Sequence, residues 1–512
     1  MAASTILPVL PLRQSVLAVA LALVGIAQGA TAAEDDNAAL LQQLKKLNER
    51  IEKLENRNQE LEKRLESVGS AEQRIRALEE ANARMDQALQ SERLSEKEPE
   101  LATRLKAVEF QTLSMQKQAR QIEALEGITV SASLTGVLQS TNSAGAATAT
   151  RESRTNYRGD IAVSLPGGEM GDVEGKIFTH LRIGQGNGVG LRPTYTSTPN
   201  TTAFQVQSTN ANPYDSFGIL AQAWYQLNVP LPIGGYKPHS RESMRLTFGK
   251  IDPFVFFDQN VAADDESTKF LNNAFVHNPL LDSGGDVGAD QYGFSPGLIA
   301  GYVNERSKPE SWGASVGVFG SGPGANFSGS QSRPFVIGQL ETSQRLAGGL
   351  TGNYRLYAWT NGRATNFDGA QARHSGWGVS ADQRVGDAIT LFGRYGHQAA
   401  GRVRFDRALT LGTEFGGDYW GRAADSIGVA AGFLRTSAAF RNESATVDAD
   451  GDGNPDFGFA ASGTERIGEL YYRFRVNSRF ELSPDLQFIR RPGGNAAAPS
   501  MTLVGLRAKV GF

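Results

Sequence analysis

The C-terminal stretch Ser500–Phe512, SMTLVGLRAKVGF, indicates the fold class of the chain. The residues at every second position from Thr502 to Phe512 are mostly apolar. The residues between these positions, which include Arg507 and Lys509, are smaller or more polar. A repeat of two residues is typical of a β-strand with two unlike faces. Such a strand suits the edge of a soluble sandwich, or a membrane barrel whose apolar face meets lipid and whose closure removes the edge. The rest of the sequence favours the barrel.

Composition excludes several classes of function. The chain has 51 basic and 54 acidic residues, and this balance argues against nucleic acid as a partner. It has no cysteine, so it forms no disulfides, no thiolate zinc site and no cysteine nucleophile. With five histidines and neither a G-x-S-x-G motif nor a phosphate-binding loop, the sequence does not indicate an enzyme. No cofactor is required by any of its motifs.

The N-terminus predicts export. Residues 1–32 have the features of a signal peptide, with an apolar core at Val16–Ala27 and a cleavage site at Ala30-Thr31-Ala32. The core is too short to span a membrane comfortably, and no other stretch approaches the length of a membrane helix. The mature protein is therefore expected in the periplasm, the medium or an outer-membrane barrel.

Residues 33–98 follow a heptad pattern. Leucine and isoleucine recur at alternating spacings of three and four, and Asn58 lies on the same seam. A sustained seam of this kind predicts a self-associating coiled coil, although a single solvated helix is the alternative. Residues 99–127 form a weaker, helical linker that begins at Pro99. This segment is predicted to be a periplasmic extension.

After Gly127 the composition changes to alternating glycine, aromatic, β-branched and arginine residues. The predicted fold is an all-β transmembrane barrel of about 16 antiparallel strands over residues 128–512, preceded by the α-helical coiled coil. The predicted strands are 128–140, 154–165, 172–184, 217–229, 241–251, 289–303, 311–320, 334–345, 350–360, 374–384, 387–398, 405–415, 425–440, 464–476, 478–490 and 500–512.

The predicted connections test this assignment independently. A barrel that starts at the periplasmic side should alternate long outer loops with short periplasmic turns. Pro166–Gly171 and Ala347–Gly349 are short and fall on the periplasmic side, whereas Gln185–Ser216, Asp252–Gly288 and Arg441–Gly463 are long and fall outside. The alternation supports the strand assignment.

Several segments of the barrel region resemble one known family, the carbohydrate-selective outer-membrane porins of the OprB type. The segments are Leu246–Asn260, Lys269–Phe275, Asn353–Gly362, Thr390–His397, Glu469–Asn477 and Leu482–Gly494. The resemblance implies a sixteen-stranded, water-filled barrel in the outer membrane of a Gram-negative bacterium, through which sugars and other small polar solutes diffuse. The coiled coil is not part of the basic family pattern and is similar to the periplasmic extension of some sucrose-type porins.

Two alternatives stay open beside the sugar porin. A predominantly basic channel wall would make the protein an anion-selective porin. A coil that reaches the cell wall would make it a structural tether of the envelope. Because OprB-type barrels resemble monomers, the coil is the only evident reason for self-association, and a homotrimer is expected because a three-fold coil would lie on the axis of a porin trimer.

The long connection Asp252–Gly288 is predicted to form the pore constriction. Loops of this length are usually functional, and in porins the third loop folds into the channel. Its acidic residues are the predicted constriction residues, namely Asp258, Asp264, Asp265 and Glu266. The alternative is an acidic loop exposed on the cell surface.

Strand alternation predicts which side chains face the channel. The predicted lumen wall contains Arg158, Arg182, Arg245, Arg355, Arg394, Arg473 and Arg475. A basic wall opposite an acidic loop would set a transverse field across the constriction. Trp224, Tyr357 and Trp359 share the inward parity and are predicted to stack on sugar rings. Simple packing or a solvated wall is the alternative for each of them.

A second acidic segment predicts a calcium site. Asp448, Asp450, Asp452 and Asp456 occupy positions 1, 3, 5 and 9 of a D-x-D-x-D-G-x-x-D run. Carboxylates at this spacing, with glycine at position 6, suit a tight loop around Ca²⁺. Phe459 at position 12 excludes an EF-hand, and a polar surface loop is the alternative.

Overall fold

The computed structural model describes Glu80 and residues 127–146, 149–191, 198–203, 215–234, 240–281, 293–321 and 330–512. The predicted signal peptide, the coiled coil and nearly all of the helical linker lie outside the described residues. Among the described residues, no helix combines the length and the apolar character that crossing a membrane requires.

Antiparallel β-strands make up the barrel region. The strands are β1 (Thr129–Thr141), β2 (Glu152–Met170), β3 (Val173–Gln185), β4 (Phe217–Leu231), β5 (Glu242–Ile251), β6 (Ser295–Asn304), β7 (Ser311–Phe319), β8 (Phe335–Leu346), β9 (Leu350–Thr365), β10 (Gln371–Gly386), β11 (Ile389–Ala400), β12 (Phe405–Gly416), β13 (Ser426–Thr436), β14 (Thr464–Arg475), β15 (Phe480–Arg490) and β16 (Met501–Gly511).

These sixteen strands close into one ring in which each strand pairs with its sequence neighbours. Closure is made by β1 and β16, whose register places Leu138 opposite Leu506. The predicted all-β barrel and its strand number are therefore confirmed. Because the ring is complete, no strand presents an open edge.

Alternation along the strands separates an apolar outer surface from a polar interior. In β16, Val504 faces outward and is exposed, whereas Leu503 and Arg507 face inward and are buried. The same pattern exposes Leu356 on β9 and Leu486 on β15, beside many other large apolar side chains. An outer band of this kind suits the hydrocarbon of a bilayer.

Four predicted strand limits differ from the structure by four or more residues, and one of them is the end of β9, which continues to Thr365 instead of ending at residue 360. The strand β2 runs past the predicted turn to Met170, because a register shift between Pro166 and Glu169 lets pairing with β3 continue. The strand β13 ends at Thr436, and β6 begins at Ser295. The predicted alternation of long and short connections holds in general, with long connections at 186–216, 252–294 and 437–463.

Short helices occur in the connections. They are α1 (Asn273–Val276), α2 (Ala438–Glu443) and the 3₁₀ turns Pro253–Val255, Ser330–Ser332, Gly417–Trp420 and Pro492–Gly494. The hydroxyl of Ser437 accepts a hydrogen bond from the Phe440 amide, which caps α2 and explains why β13 stops where it does. The side chain of Asn272 caps α1 in the same way.

Candidate functional site: a constriction inside the barrel

The connection between β5 and β6 folds into the barrel. We call its described part, residues 252–281, the inward loop. Most of its side chains are buried, among them Phe257, Phe270 and Phe275, which belong to one apolar cluster with the inner faces of the strands. The predicted inward course of this connection therefore agrees with the burial of its residues.

One buried ion pair anchors the inward loop to the wall. The Arg394 Nε atom on β11 lies 3.2 Å from Oδ1 of Asp258, and both side chains are 0% exposed. The Tyr357 hydroxyl donates to the same oxygen at 2.7 Å, and the Asn278 amide donates to the other oxygen at 2.5 Å. Asp258 has a left-handed backbone, with φ of 56°, which aspartate tolerates better than most residues. Because every carboxylate contact is internal, Asp258 fixes the loop in place.

A second anchor lies on β14. The Glu469 carboxylate accepts hydrogen bonds from the amides of Leu271 and Asn272, at 2.5 and 3.0 Å. Asn272 also donates from Nδ2 to Gln487 on β15, at 3.1 Å. Arg394 donates to the carbonyl of Phe275 at 2.6 Å. Wall side chains thus satisfy backbone groups of the loop that would otherwise be buried without partners.

A second segment, residues 198–203, also lies inside the barrel. Asn156 on β2 donates from Nδ2 to the Thr202 carbonyl at 2.9 Å, and Gln139 on β1 donates to the Pro199 carbonyl at 3.1 Å. The Thr201 amide donates to Leu271 of the inward loop at 2.9 Å. This contribution of the connection between β3 and β4 was not predicted, because its polar residues carry no periodic signal.

Paired charges join the inward loop to the wall on the side of β2 and β3. Arg158 lies 2.8 Å from Asp160 and 2.6 Å from Glu266 of the inward loop. Arg182 and His180 on β3 both contact Asp160 Oδ1, each at 2.8 Å. The acidic loop and the basic wall are therefore in direct contact here, and the predicted transverse field stays a prediction.

The other walls repeat this pairing. Arg355 on β9 lies 3.4 Å from Asp382 and 3.8 Å from Glu341, and Arg473 on β14 pairs with Glu481. Lys269 of the inward loop lies 3.8 Å from Glu414.

Two further predicted wall residues lie at the end with the short turns. Arg245 on β5 is exposed, and Arg475 on β14 is half-buried. Both have the inward parity of their strands, so they belong to the part of the lumen near the short turns.

The pKa values of Asp264, Asp265 and Glu266 in the inward loop are shifted in different directions. Burial raises the pKa of Asp264, although Lys269 and Arg394 oppose this effect. Burial also opposes ionisation of Asp265, but Lys509 and the hydroxyl donors of Ser267 and Thr268 hold its pKa well below the usual range. For Glu266, burial is outweighed by Arg158 and Arg182, and the pKa is lowered. Asp265 and Glu266 therefore stay ionised to lower pH, whereas Asp264 takes up a proton at higher pH than an ordinary carboxyl group.

Several predicted roles need correction. Asp258 of the inward loop and Arg394 of the wall are both fully buried between loop and wall, so neither side chain is accessible from the lumen. Trp224, Tyr357 and Trp359 are only 8%, 1% and 4% exposed, so they offer no free ring face to a sugar. Trp224 instead stacks on Phe178, with centroids 4.7 Å apart. The inward parity was right, but parity alone does not show that the loop covers these rings.

Carboxylates of the wall were missed although their signal was present. Asp160, Glu341, Asp382, Glu414 and Glu469 share the inward parity with the arginines that were predicted. Attention to basic residues alone made the wall seem more positive than it is. The same alternation would have found both charges.

The predicted calcium loop is only partly brought together. Carboxylate oxygens of Asp448, Asp450 and Asp456 lie within 4.8 Å of one another, whereas Asp452 is not in this group. Amides of Gly451 and Gly453 donate to Asp448 at 2.8 Å, and donation from Gly453 is the main cause of its lowered pKa. Calcium binding stays a prediction.

A family model described as carbohydrate-selective porin, OprB family, matches residues 100–512. Solved structures also match the chain. OprB of Pseudomonas putida at high pH is 18% identical, with a TM-score of 0.60, over 77% of this chain and 96% of that chain. An anion-selective porin of Comamonas acidovorans is 12% identical, with a TM-score of 0.44, over 75% and 99%. The channel DcaP of Acinetobacter baumannii is 10% identical, with a TM-score of 0.41, over 75% and 97%. No curated protein matches the chain.

Proposed function

Because the chain belongs to the OprB family of carbohydrate-selective porins, we propose that the constriction of this outer-membrane porin selects neutral sugars over ions. Passive diffusion of small solutes through the barrel is the function of the family. The proposal adds which feature of this chain makes hydroxyl-rich solutes the preferred ones.

The pairing of charges at the constriction carries the proposal. Arg158, Asp160, Arg182 and Glu266 form one connected set of ion pairs, with two positive and two negative side chains. Guanidinium groups donate hydrogen bonds and carboxylates accept them, so a sugar hydroxyl finds both kinds of partner along this wall. A nearly neutral set neither attracts nor repels ions strongly.

A liposome-swelling series with sugars of increasing size tests the proposal. Swelling should be fast for a monosaccharide and fall as the solute approaches the width of the constriction. The variant Arg182→Gln should slow sugar entry relative to a small polyol such as glycerol, because it loses a donor. Equal ratios of sugar to glycerol entry in both proteins would contradict the proposed role of the paired charges.

An anion-selective channel is the second candidate. Among the described residues, no ion pair neutralises Arg245 at the periplasmic side of the lumen. Reversal potentials across planar bilayers with a salt gradient separate the two candidates. A potential near zero supports the sugar channel, and a clear preference for the anion supports the alternative.

We also propose that residues 33–98 form a periplasmic coiled coil that holds three barrels together and contacts the cell wall. The heptad pattern and Asn58 support this proposal. Analytical ultracentrifugation of the full chain and of a shortened chain that begins at Gly127 tests the assembly. A monomeric full chain would argue against the coil, and a trimeric shortened chain would assign assembly to the barrel. If the outer membrane detaches from the cell wall in cells whose protein lacks residues 33–98, the result would support contact with the wall.

A further inference from the structure

Four arginines form a patch on the outside of the barrel, and the function of the channel does not use them. They are Arg407 on β12, Arg435 on β13, Arg466 on β14 and Arg490 on β15. All four are exposed. Their parity matches that of the outward apolar residues, since Leu409 and Phe433 lie two positions from Arg407 and Arg435. We call these four residues the arginine patch.

The register brings like charges face to face. Arg407 pairs directly with Arg435 across β12 and β13, and Arg466 pairs directly with Arg490 across β14 and β15. Directly opposed side chains in an antiparallel sheet lie about 5 Å apart at their Cβ atoms, and like charges there destabilise the sheet. Within the described part of the chain, none of the four has an ion pair or a side-chain hydrogen bond. The repulsion is therefore not relieved inside the protein.

The height of the patch is fixed by its neighbours. Trp377 on β10 pairs with His397 on β11, His397 pairs with Arg407, and Arg407 pairs with Arg435, so one row crosses four strands. Trp377 faces outward and is 39% exposed. Tryptophan with an apolar body and a polar edge concentrates where the hydrocarbon of a membrane meets its headgroups. Trp377 therefore supports a position near the headgroups for Arg407 and Arg435, the two patch residues of this row.

The patch lies at the outer rim. Arg435 and Arg490 are close to the ends of their strands, next to the long connection 437–463 and the connection 491–500. Arg407 and Arg466 are close to the starts of theirs, at the same end of the barrel. In a porin this is the end that carries the longer, extracellular loops. The four guanidinium groups consequently face the headgroups of the outer leaflet.

We propose that the arginine patch binds the phosphate groups of a phosphorylated glycolipid in the outer leaflet. Arginine suits this role because its planar fork donates two parallel hydrogen bonds to phosphate oxygens. Leu409, Phe433 and Phe488 lie two positions deeper along the strands than Arg407, Arg435 and Arg490, and these exposed apolar side chains would contact the acyl chains of the same lipid. A phosphate beside each arginine pair also removes the repulsion across the strands.

Native mass spectrometry of the full-length protein in detergent, with bisphosphorylated lipid A as the probe, tests the proposal. The quadruple variant Arg407→Gln, Arg435→Gln, Arg466→Gln, Arg490→Gln removes the patch. A matched control, Arg306→Gln, Arg345→Gln, Arg384→Gln, Arg479→Gln, removes four exposed arginines at the end with the short turns. Each patch arginine should contribute about fivefold to affinity, so the patch variant should bind several hundredfold more weakly, while the control changes little.

Further arms identify the ligand. Dephosphorylated lipid A should bind weakly to both proteins, and replacing the four patch arginines with lysine should give an intermediate affinity, because lysine keeps the charge but loses the paired hydrogen bonds. A shift in gel mobility on heating checks that each variant is a folded barrel. Equal binding of lipid A by the wild type and the patch variant would overturn the proposal. Full displacement of the lipid by millimolar inorganic phosphate would also overturn it, because that result indicates a site for free anions. The same holds if the patch variant loses self-association but still binds the lipid, because that result indicates contact with a second copy of the chain.

Discussion

The chain carries two loops rich in acidic residues, and their hydrogen-bonding groups find partners in opposite ways. In the inward loop, the carboxylate of Asp258 and the backbone amides of Leu271 and Asn272 find their partners on the barrel wall. In the outer loop 448–456, the Asp448 carboxylate is satisfied by amides of its own loop, from Gly451 and Gly453. One loop depends on the barrel for its conformation, and the other depends mainly on itself.

This difference shows that acidic composition does not by itself assign a role to a loop. Burial decides the cost of a charge, because a buried carboxylate without a partner is expensive, whereas water solvates an exposed one. A change in the inward loop should therefore alter the channel, whereas a change in the outer loop should remain local. The following predictions test this contrast, from the largest expected effect to the smallest.

Replacing Asp258 with alanine should have the largest effect. Arg394 would stay buried without its partner, and loss of one member of a buried pair costs about 3–5 kcal/mol. The inward loop should then leave its position for part of the time, so single-channel conductance in planar bilayers should rise and fluctuate. Asp452→Ala in the outer loop is the matched control and should leave conductance unchanged. A quiet channel of normal conductance in the Asp258→Ala variant would show that other contacts hold the loop.

Removing the other three predicted constriction residues of the inward loop should alter selectivity more than stability. The variant Asp264→Ala, Asp265→Ala, Glu266→Ala leaves Arg158 and Arg182 with only Asp160 as a partner. The wall becomes net positive, so conductance should change and reversal potentials should shift away from cations, toward anions. An unchanged conductance and reversal potential would place these residues outside the path of the solutes.

Acidification should act on the inward loop in two stages. Asp264 has a raised pKa, so it should take up a proton above the usual carboxyl value of about 4, and ion selectivity should shift toward anions while the loop stays in place. Asp265 and Glu266 have lowered pKa values, so their stabilising effect is present above the usual value and is lost as pH falls through their lower ones. Reversal potentials measured as pH falls from 7 should show the first stage, and Asp264→Asn should abolish it.

The smallest effect should come from calcium at the outer loop. Isothermal titration should show heat of Ca²⁺ binding that is lost in Asp450→Ala, because Asp450 belongs to the group of carboxylates that lie together. The control Asp452→Ala should retain most of the heat, since Asp452 lies outside that group. Neither change should affect conductance. Equal heats in the wild type and Asp450→Ala would remove this site.

Strand alternation was enough to predict the barrel, its strand number and the inward side of the wall. It succeeded because lipid and water impose a repeat of two residues on every strand, as Val504 and Arg507 of β16 illustrate. It could not predict that Tyr357 is covered or that residues 198–203 enter the lumen. Those facts depend on contacts such as Tyr357 with Asp258, between residues that no local pattern connects.

Closure of the barrel places a demand on folding. The Thr141 hydroxyl donates to the Thr502 carbonyl across a separation of 361 residues, whereas most neighbouring strands are joined by short connections. The final seam therefore has by far the highest contact order of the ring, and such contacts form slowly because a long chain must first be ordered. Until β16 arrives, β1 keeps a row of unpaired amides and carbonyls that invites pairing with other chains. Pairing of β16 with β1 is thus the step that ends the period in which the barrel can aggregate.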